Sequence, residues 1–180
     1  MQIFVVNEDF QLAGQALDDK RINKMLLEST QMLCTALHIH GASFPDMYAP
    51  THMTGPFTLW TAKCRGNFEW LWNYAFCLSE EWSARFAKVH GCHRILEECG
   101  LLRDHIPEGE RTPFHNGTGL DEADVFQAYR QYLLNKWQNE DRHPPRWSNR
   151  RPPRWAEREL KIRRTKEGKY FVERSVRHPR

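Results

Sequence analysis

The chain has no long apolar run: none of its 180 residues belongs to a stretch approaching the roughly 18 apolar residues a membrane span needs, so no membrane partner is expected. Its opening, Met1-Gln2-Ile3-Phe4-Val5-Val6, lacks a basic region followed by a long apolar segment, so no secretory leader is expected. Gly-rich phosphate loops, the dinucleotide fingerprint and the Gly-x-Ser-x-Gly elbow are all missing, which removes the usual signals of nucleotide-driven and serine-hydrolase chemistry. Cysteine is sparse and odd in number: Cys34, Cys64, Cys77, Cys92 and Cys99. Three of them fall inside apolar helical patterns, where a thiol packs as a small hydrophobe, so reduced thiols and a cytoplasmic setting are expected. His90, Cys92, His93 and Cys99 match no closed Cys/His framework, so neither a metal nor any other cofactor is expected.

What is present points to one globular domain with an appendage. Hydrophobic residues make up 40% of the chain, and seven Trp with ten Phe can fill an interior. The net charge of +3 hides an asymmetry: residues 141–180 hold 14 Lys/Arg against 5 Asp/Glu, leaving 12 against 18 for residues 1–140. A basic arm of about +9 on a body of about −6 suits contact with a polyanion, nucleic acid foremost.

Periodicity predicts an all-α fold: a single compact helical domain over 1–140, a Pro/Arg/Trp-rich latch over 141–158 and a basic β-hairpin tail over 159–180. Ile3 to Val6 reads as a short strand or a buried strap. Asn7 and Asp9 offer caps for a short helix through Leu17, and Asp18-Asp19 for a longer one. On that second helix Ile22, Met25, Leu26, Ser29, Leu33, Ala36 and Leu37 form one apolar face. Residues 41–56 read as loop and 57–64 as a short helix. Phe68, Leu71, Ala75, Leu78, Trp82 and Phe86 mark a central helix running to about Lys88. A weak helix covers Ile95 to Leu102, a polar loop Pro107 to Thr118, and a last clear helix starts at Glu122. Pro144-Pro145-Arg146-Trp147 recurs as Pro152-Pro153-Arg154-Trp155, and prolines at that density are expected to exclude helix. Leu160 to Val172 then reads as a hairpin with Gly168 in its turn; alone it is marginal in water, so it must dock or order on binding.

Four parts of the sequence can carry chemistry. Lys20, Lys24, Glu28 and Gln31 rise at helical spacing beside Asp18, Asp19 and Arg21, bringing cations and carboxylates to a face away from the apolar stripe; the alternative is an ordinary solvated face of ion pairs. Asn67, Trp70, Tyr74, Glu81 and Arg85 form a second stripe continuing to His90, suited to stacking on a base and bonding its edge, or simply widening the core. His52, in the loop between the two long helices, can transfer a proton or donate to phosphate, or is a surface histidine. In the arm, Arg146, Arg150, Arg151, Arg154 and Arg158 interleave with Trp147 and Trp155, a pattern for phosphate contact beside stacking or latching, and Lys161, Arg163 and Arg164 of the hairpin add further cations for nucleic acid.

Taken together, these residues resemble a set of small proteins of tailed bacteriophages. The likeness runs through Met1-Gln2-Ile3-Phe4-Val5, Leu17-Asp18-Asp19-Lys20-Arg21, Lys24-Met25, Leu27-Glu28, Thr51-His52, Trp60, Asn67-Phe68-x-Trp70-Leu71 and Arg85-Phe86-x-Lys88-x-His90. It continues in Thr112-Pro113-Phe114, Ala128-Tyr129-Arg130, Trp137 and Trp147-x-x-Arg150-x-x-Pro153-x-Trp155, covering about residues 1–156. Such proteins are similar to pyrimidine-dimer DNA glycosylases, helical repair enzymes that flip a nucleotide and attack its sugar with an N-terminal amine. The local similarity is Leu12-Ala13-x-Gln15-x-Leu17 followed by the basic-acidic helix. Departures are plain: Gln2 should leave Met1 in place, the family's carboxylate would fall near Asn23, so that Asp19 or Glu28 must substitute, and the residues after Thr51-His52 are Gly55 and Phe57 where a His and a Cys are usual.

The expected activity is therefore DNA base excision with possible strand cleavage at an abasic site. Asp19, Lys20, Glu28 and His52 are the candidate catalytic residues, and Arg21, Lys24, Asn67, Trp70, Arg85 and His90 the candidate substrate contacts. The nucleophile is an N-terminal amine, a lysine forming a Schiff base, or water. Two other readings stay open: an enzyme for a free nucleotide, a nucleotide-derived signal or a modified base, and a non-catalytic protein that binds nucleic acid or inhibits a host protein.

Overall fold

The computed structural model describes residues 1–140 and 143–173. They are mostly helical, with one small antiparallel sheet near the C-terminal end. Helix α1 is Phe10–Ala16, opened by Asp9, whose side chain accepts from the Leu12 N–H at 2.9 Å. Helix α2, Asp19–Ile39, and helix α4, Arg65–Phe86, form the central pair. Helix α3, Pro56–Lys63, begins on a proline that needs no amide partner at that position, and Cys64 alone separates it from α4. Helix α5 is Cys92–Leu101, and helix α6, Val125–Asn139, starts on the Asp124 carboxylate.

The apolar face expected on α2 is buried, and the burial goes further than a stripe. Thr30, Met32, Cys34 and Thr35 are covered as well, because α3, α4 and α5 all pack on this helix. Thr30 and Thr35 satisfy their hydroxyls by donating to the carbonyls of Leu26 and Gln31, four residues back. Ile3 to Val6 is a strap and not a strand. All four side chains are buried, and its carbonyls accept from the Tyr74 hydroxyl at Phe4 and from Arg130 Nε at Val6. Gly66, on the first turn of α4, is where the 107–111 loop crosses: a Cβ there would stand 2.3 Å from the Arg111 nitrogen.

The arm corrects one expectation. Prolines do not keep the second Pro-Pro-Arg-Trp repeat out of a helix, because Pro153 is the N-cap of helix α7, Arg154–Glu159, and both prolines lie ahead of the hydrogen-bonded turns. The first repeat instead leads into strand β1, Arg146–Trp147. Strand β2, Ile162–Arg164, and strand β3, Tyr170–Val172, make the expected hairpin, with Gly168 at φ +84° in its turn. Strand β1 adds to the far edge of β3, giving the order β1-β3-β2, so the hairpin docks by gaining a third strand from the Pro/Arg/Trp segment. Residues 174–180 of the expected tail lie outside the described residues. Among the described residues no helix is long and apolar enough to cross a membrane.

Candidate functional site

The charged first turn of α2 is consumed by the arm. Asp18, 1% exposed, accepts from Arg21 Nη1 and from Trp137 Nε1, each at 2.9 Å. Burial pushes its carboxyl up, and those two donors partly offset the push. Lys20 and Arg21 both reach Glu140 at the end of α6. Asp19 accepts from the Ser148 backbone N–H at 3.0 Å, from the Ser148 hydroxyl at 2.7 Å and from Arg85 Nη1 at 3.2 Å. Arg85 also donates to Glu81, to the Leu17 carbonyl and to the Gln15 carbonyl. Glu81 in turn takes both Nε and Nη2 of Arg150, at 2.8 and 2.6 Å. Trp147, fully buried between, donates its Nε1 to the Ala16 carbonyl at 3.1 Å. These residues form a clamp that fastens the arm to α1, α2 and α4.

Expectations for several residues change accordingly. Asp19, Lys20, Arg21 and Arg85 are all engaged in the clamp, Arg21 and Arg85 buried, Asp19 largely covered and Lys20 exposed. Arg150 pairs with Glu81 through its Nε and Nη2. Trp70 is 6% exposed, with Phe10, Trp60, Tyr74 and Phe114 around its ring at centroid distances of 4.6–6.3 Å, so no open face is left for a base. Asn67 is fully buried; its Nδ2 donates to the Trp60 carbonyl and the Thr112 hydroxyl, and its Oδ1 accepts the Thr112 N–H. It anchors a loop instead of reading a base edge. His90 accepts the Cys92 N–H and packs its ring on Trp82, and burial lowers its pKa. Cys92, His93 and Cys99 meet Tyr48, Ser79 and Cys34 respectively. Among the described residues no three His, Cys, Asp or Glu side chains are grouped to hold a metal.

The other half of the predicted helix face has a different setting. Glu28 lies nine residues beyond Asp19, about 13 Å along the helix at 1.5 Å per residue, so the two carboxylates cannot serve one reacting atom. The Glu28 side chain is 16% exposed and divides its two oxygens: Oε2 accepts the Gln2 backbone N–H at 3.1 Å, and Oε1 faces Lys24 Nζ at 3.4 Å. Gln2 also donates its side-chain amide to the Gly117 carbonyl at 2.7 Å. Gly117 donates its N–H to the Tyr129 hydroxyl, which donates to the His115 carbonyl; burial raises that phenol to about 12. The loop from Thr112 to Gly117 therefore runs from Asn67 to the N-terminal strap and holds it against Glu28.

Two turns further along α2, the Thr35 hydroxyl accepts the Thr51 N–H at 3.1 Å, which tethers the loop that carries His52. His52 sits in the left-handed region at φ +49°, its Nδ1 2.9 Å from the Thr51 hydroxyl. The structure thus brings together Lys24, Glu28 and the strap, tethers Thr51, the residue before His52, at Thr35 about 10 Å further along the helix, and engages Asp19, Lys20, Arg21 and Arg85 in the clamp. Gln2, Thr112 and Gly117 have no local signal in the sequence; their contacts span up to 115 residues. A cleft of about 390 Å³, lined by Pro56, Leu59, Trp60, Lys63, Thr112, Pro113, Phe114 and His115, opens on that loop.

The arm's other cations, Arg146, Arg151, Arg154, Lys161, Arg163 and Arg164, are exposed, with Arg151 paired to Glu157 and Arg163 to Glu173. Compared with protein-family models, with curated proteins and with solved structures, the chain gives no match.

Proposed function

We propose that the protein acts on DNA bases as an N-glycosylase with accompanying strand cleavage, and that its reaction centre is the Glu28 end of α2. The observation that carries this reading is the hydrogen bond from Gln2 N–H to Glu28, which seats the N-terminal residues against a carboxylate that also faces Lys24. Two amines are thereby available near one acid: the α-amine of Met1, one residue before the bonded amide, and Lys24 Nζ.

An amine that attacks the sugar C1′ forms a C–N bond as the bond to the base breaks. The base leaves with that electron pair and takes up a proton, and the amine gives one up. Glu28, which faces Lys24 Nζ at 3.4 Å and holds the residue after Met1, is the base that takes the proton the amine gives up and later returns it. Breaking the C1′–O4′ bond then opens the sugar ring, O4′ taking the proton that Glu28 returns, and the iminium so formed acidifies C2′ and permits elimination of the 3′ phosphate. Lys24 or Met1 left unreacted beside Glu28 keeps a positive charge near the backbone phosphate.

Borohydride trapping on duplex DNA carrying a damaged base or an abasic site tests the proposal. A covalent adduct is expected with the full chain, lost in Glu28→Gln; N-terminal acetylation and Lys24→Ala separate the two amines. Neither adduct nor base release from the folded protein overturns it. One observation favours a second reading: the cleft beside Lys63 and His115 has the volume of a small-molecule site, which fits a free nucleotide. Binding of a mononucleotide that barely responds to salt would support it, since duplex binding weakens steeply through counterion release.

A further inference from the structure

Alternation along the three short strands sorts their side chains by face. The register sets Trp147, Tyr170 and Arg164 in one cross-strand row and Ile162 opposite Val172, and sets Arg146, Phe171 and Arg163 in the row between. Trp147 and Val172 are buried, and Ile162 and Tyr170 pack against the core, so their face looks inward. Arg146, Phe171 and Arg163 must then look outward. Phe171 agrees: it is half-buried and not among the rings that pack on the core. Neighbouring strands stand about 4.8 Å apart, so this ring rises between two arginine stems.

Lys161 and Lys169, each two residues from a member of the row, lie on the same side, and both are exposed. A concavity of about 410 Å³ lies at the turn end of the sheet, lined by Arg146, Thr165, Glu167, Lys169, Tyr170 and Phe171. Two carboxylates share the face: Glu167 in that lining, and Glu173, which meets Arg163 Nε at 3.2 Å. That pair is exposed on both sides, and a phosphate can compete with it.

We propose that this outward face, independent of the Glu28 centre, is a docking surface for unpaired nucleic acid, with Phe171 stacking on a base and Arg146, Arg163, Lys161 and Lys169 meeting its phosphates. Cations alone would fit any polyanion. The aromatic ring set between them is what selects bases, because every base offers a π face and a peptide carboxylate does not. A duplex keeps its bases stacked within the helix, out of reach of a ring on a flat sheet. The surface is also held in place: β1 leads into Trp147, Ser148 and Arg150 of the clamp, so little ordering is left to binding.

Fluorescence anisotropy on the full chain tests this with a labelled single strand of about 12 nucleotides, the matching duplex, and poly-glutamate. The single strand is expected to bind most tightly. Phe171→Ala should weaken it by roughly 5- to 140-fold, the usual worth of one stacked base, while Phe171→Tyr keeps the ring and stays within about two-fold of the parent. Arg146→Ala and Arg163→Ala should each lower the salt slope by about 0.7. Glu28→Gln should leave binding unchanged even where it abolishes trapping, which separates this proposal from the preceding one. Equal affinity for poly-glutamate, or a Phe171→Ala variant that unfolds at the parent's midpoint and binds as the parent does, overturns it.

Discussion

Replacing Arg85 with Leu distinguishes a fastening from a reaction centre. The Arg85 side chain is 1% exposed and its partner Glu81 6%. Removing one member of a buried ion pair leaves the other uncompensated, at a cost of about 3–5 kcal/mol. Glu81 keeps Arg150 and Asp19 keeps Ser148, which places the expected loss near the lower end, about 3 kcal/mol. For a chain of this length each kcal/mol moves Tm by about 2–4 °C, so a fall of roughly 6–12 °C is expected. Glu28→Gln is the counterpart. Its amide oxygen can still accept the Gln2 N–H, and its partner Lys24 is 60% exposed, so stability should stay within about 0.5 kcal/mol of the parent. Trapping should fall by about 10²–10⁴-fold, the usual worth of an acid-base group. Urea unfolding followed by Trp fluorescence, with trapping normalised to the folded fraction, reads both effects. An Arg85→Leu protein that unfolds within about 1 kcal/mol of the parent yet loses trapping would place Arg85 at the reacting atoms and not in a fastening.

Further consequences follow from the same contacts. Trp147→Ala empties a fully buried site and leaves the Ala16 carbonyl without its donor, so a loss of about 3–5 kcal/mol is expected in the same denaturation assay; a loss below 1 kcal/mol would mean that the arm contributes little. Burial alone would raise the Glu140 carboxyl, but the hydrogen bonds from Lys20 and Arg21 hold it below its ordinary value of 4.5. Its stabilising contribution is therefore complete above about pH 4.5 and is lost as pH falls through the lower folded-state value. The stability gap between the parent and Glu140→Gln should accordingly shrink on acidification below that point, and a constant gap would contradict the assignment. All five cysteines are free, four of them buried and Cys77 half-buried. A thiol reagent should count five in urea and at most one fast-reacting thiol in the native protein; fewer than five in urea would reveal a disulfide.

Much of the architecture was legible because it is local. The 3.6-residue recurrence from Ile22 to Leu37 and from Phe68 to Phe86 marks α2 and α4, and Asp9 and the Gly168 turn behave as their chemistry requires. The site was legible only in part. Lys20, Lys24 and Glu28 share a face by spacing, but spacing is indifferent to what covers that face. One end is covered by Ser148 and Glu140, 129 and 120 residues away from their partners Asp19 and Lys20, and no periodic signal reaches that far. Trp70 shows the same limit: a stripe beside the core face becomes core once Phe10 and Phe114 close over it. The repeated Pro-Pro-Arg-Trp shows it again, since one copy ends in a strand and the other in a helix according to whether β3 is there to pair with it.

The placement of Arg85 explains why buried charge stands at this junction at all. The carbonyls of Gln15 and Leu17, at the end of α1, have no amides ahead of them in that helix, and the guanidinium satisfies both. The same group meets Asp19, whose carboxylate stands in the first turn of α2 where the helix dipole favours negative charge. An apolar plug could fill the space but could not terminate one helix and start the next, and Trp147 alone would dock the arm without fixing its direction. Glu81, held by Arg85 from one side and Arg150 from the other, converts the junction between α1 and α2 into the socket for the arm. The charges of the first α2 turn thus fasten the strand that opens the C-terminal sheet, and the Lys24–Glu28 segment two turns on takes no part in that fastening.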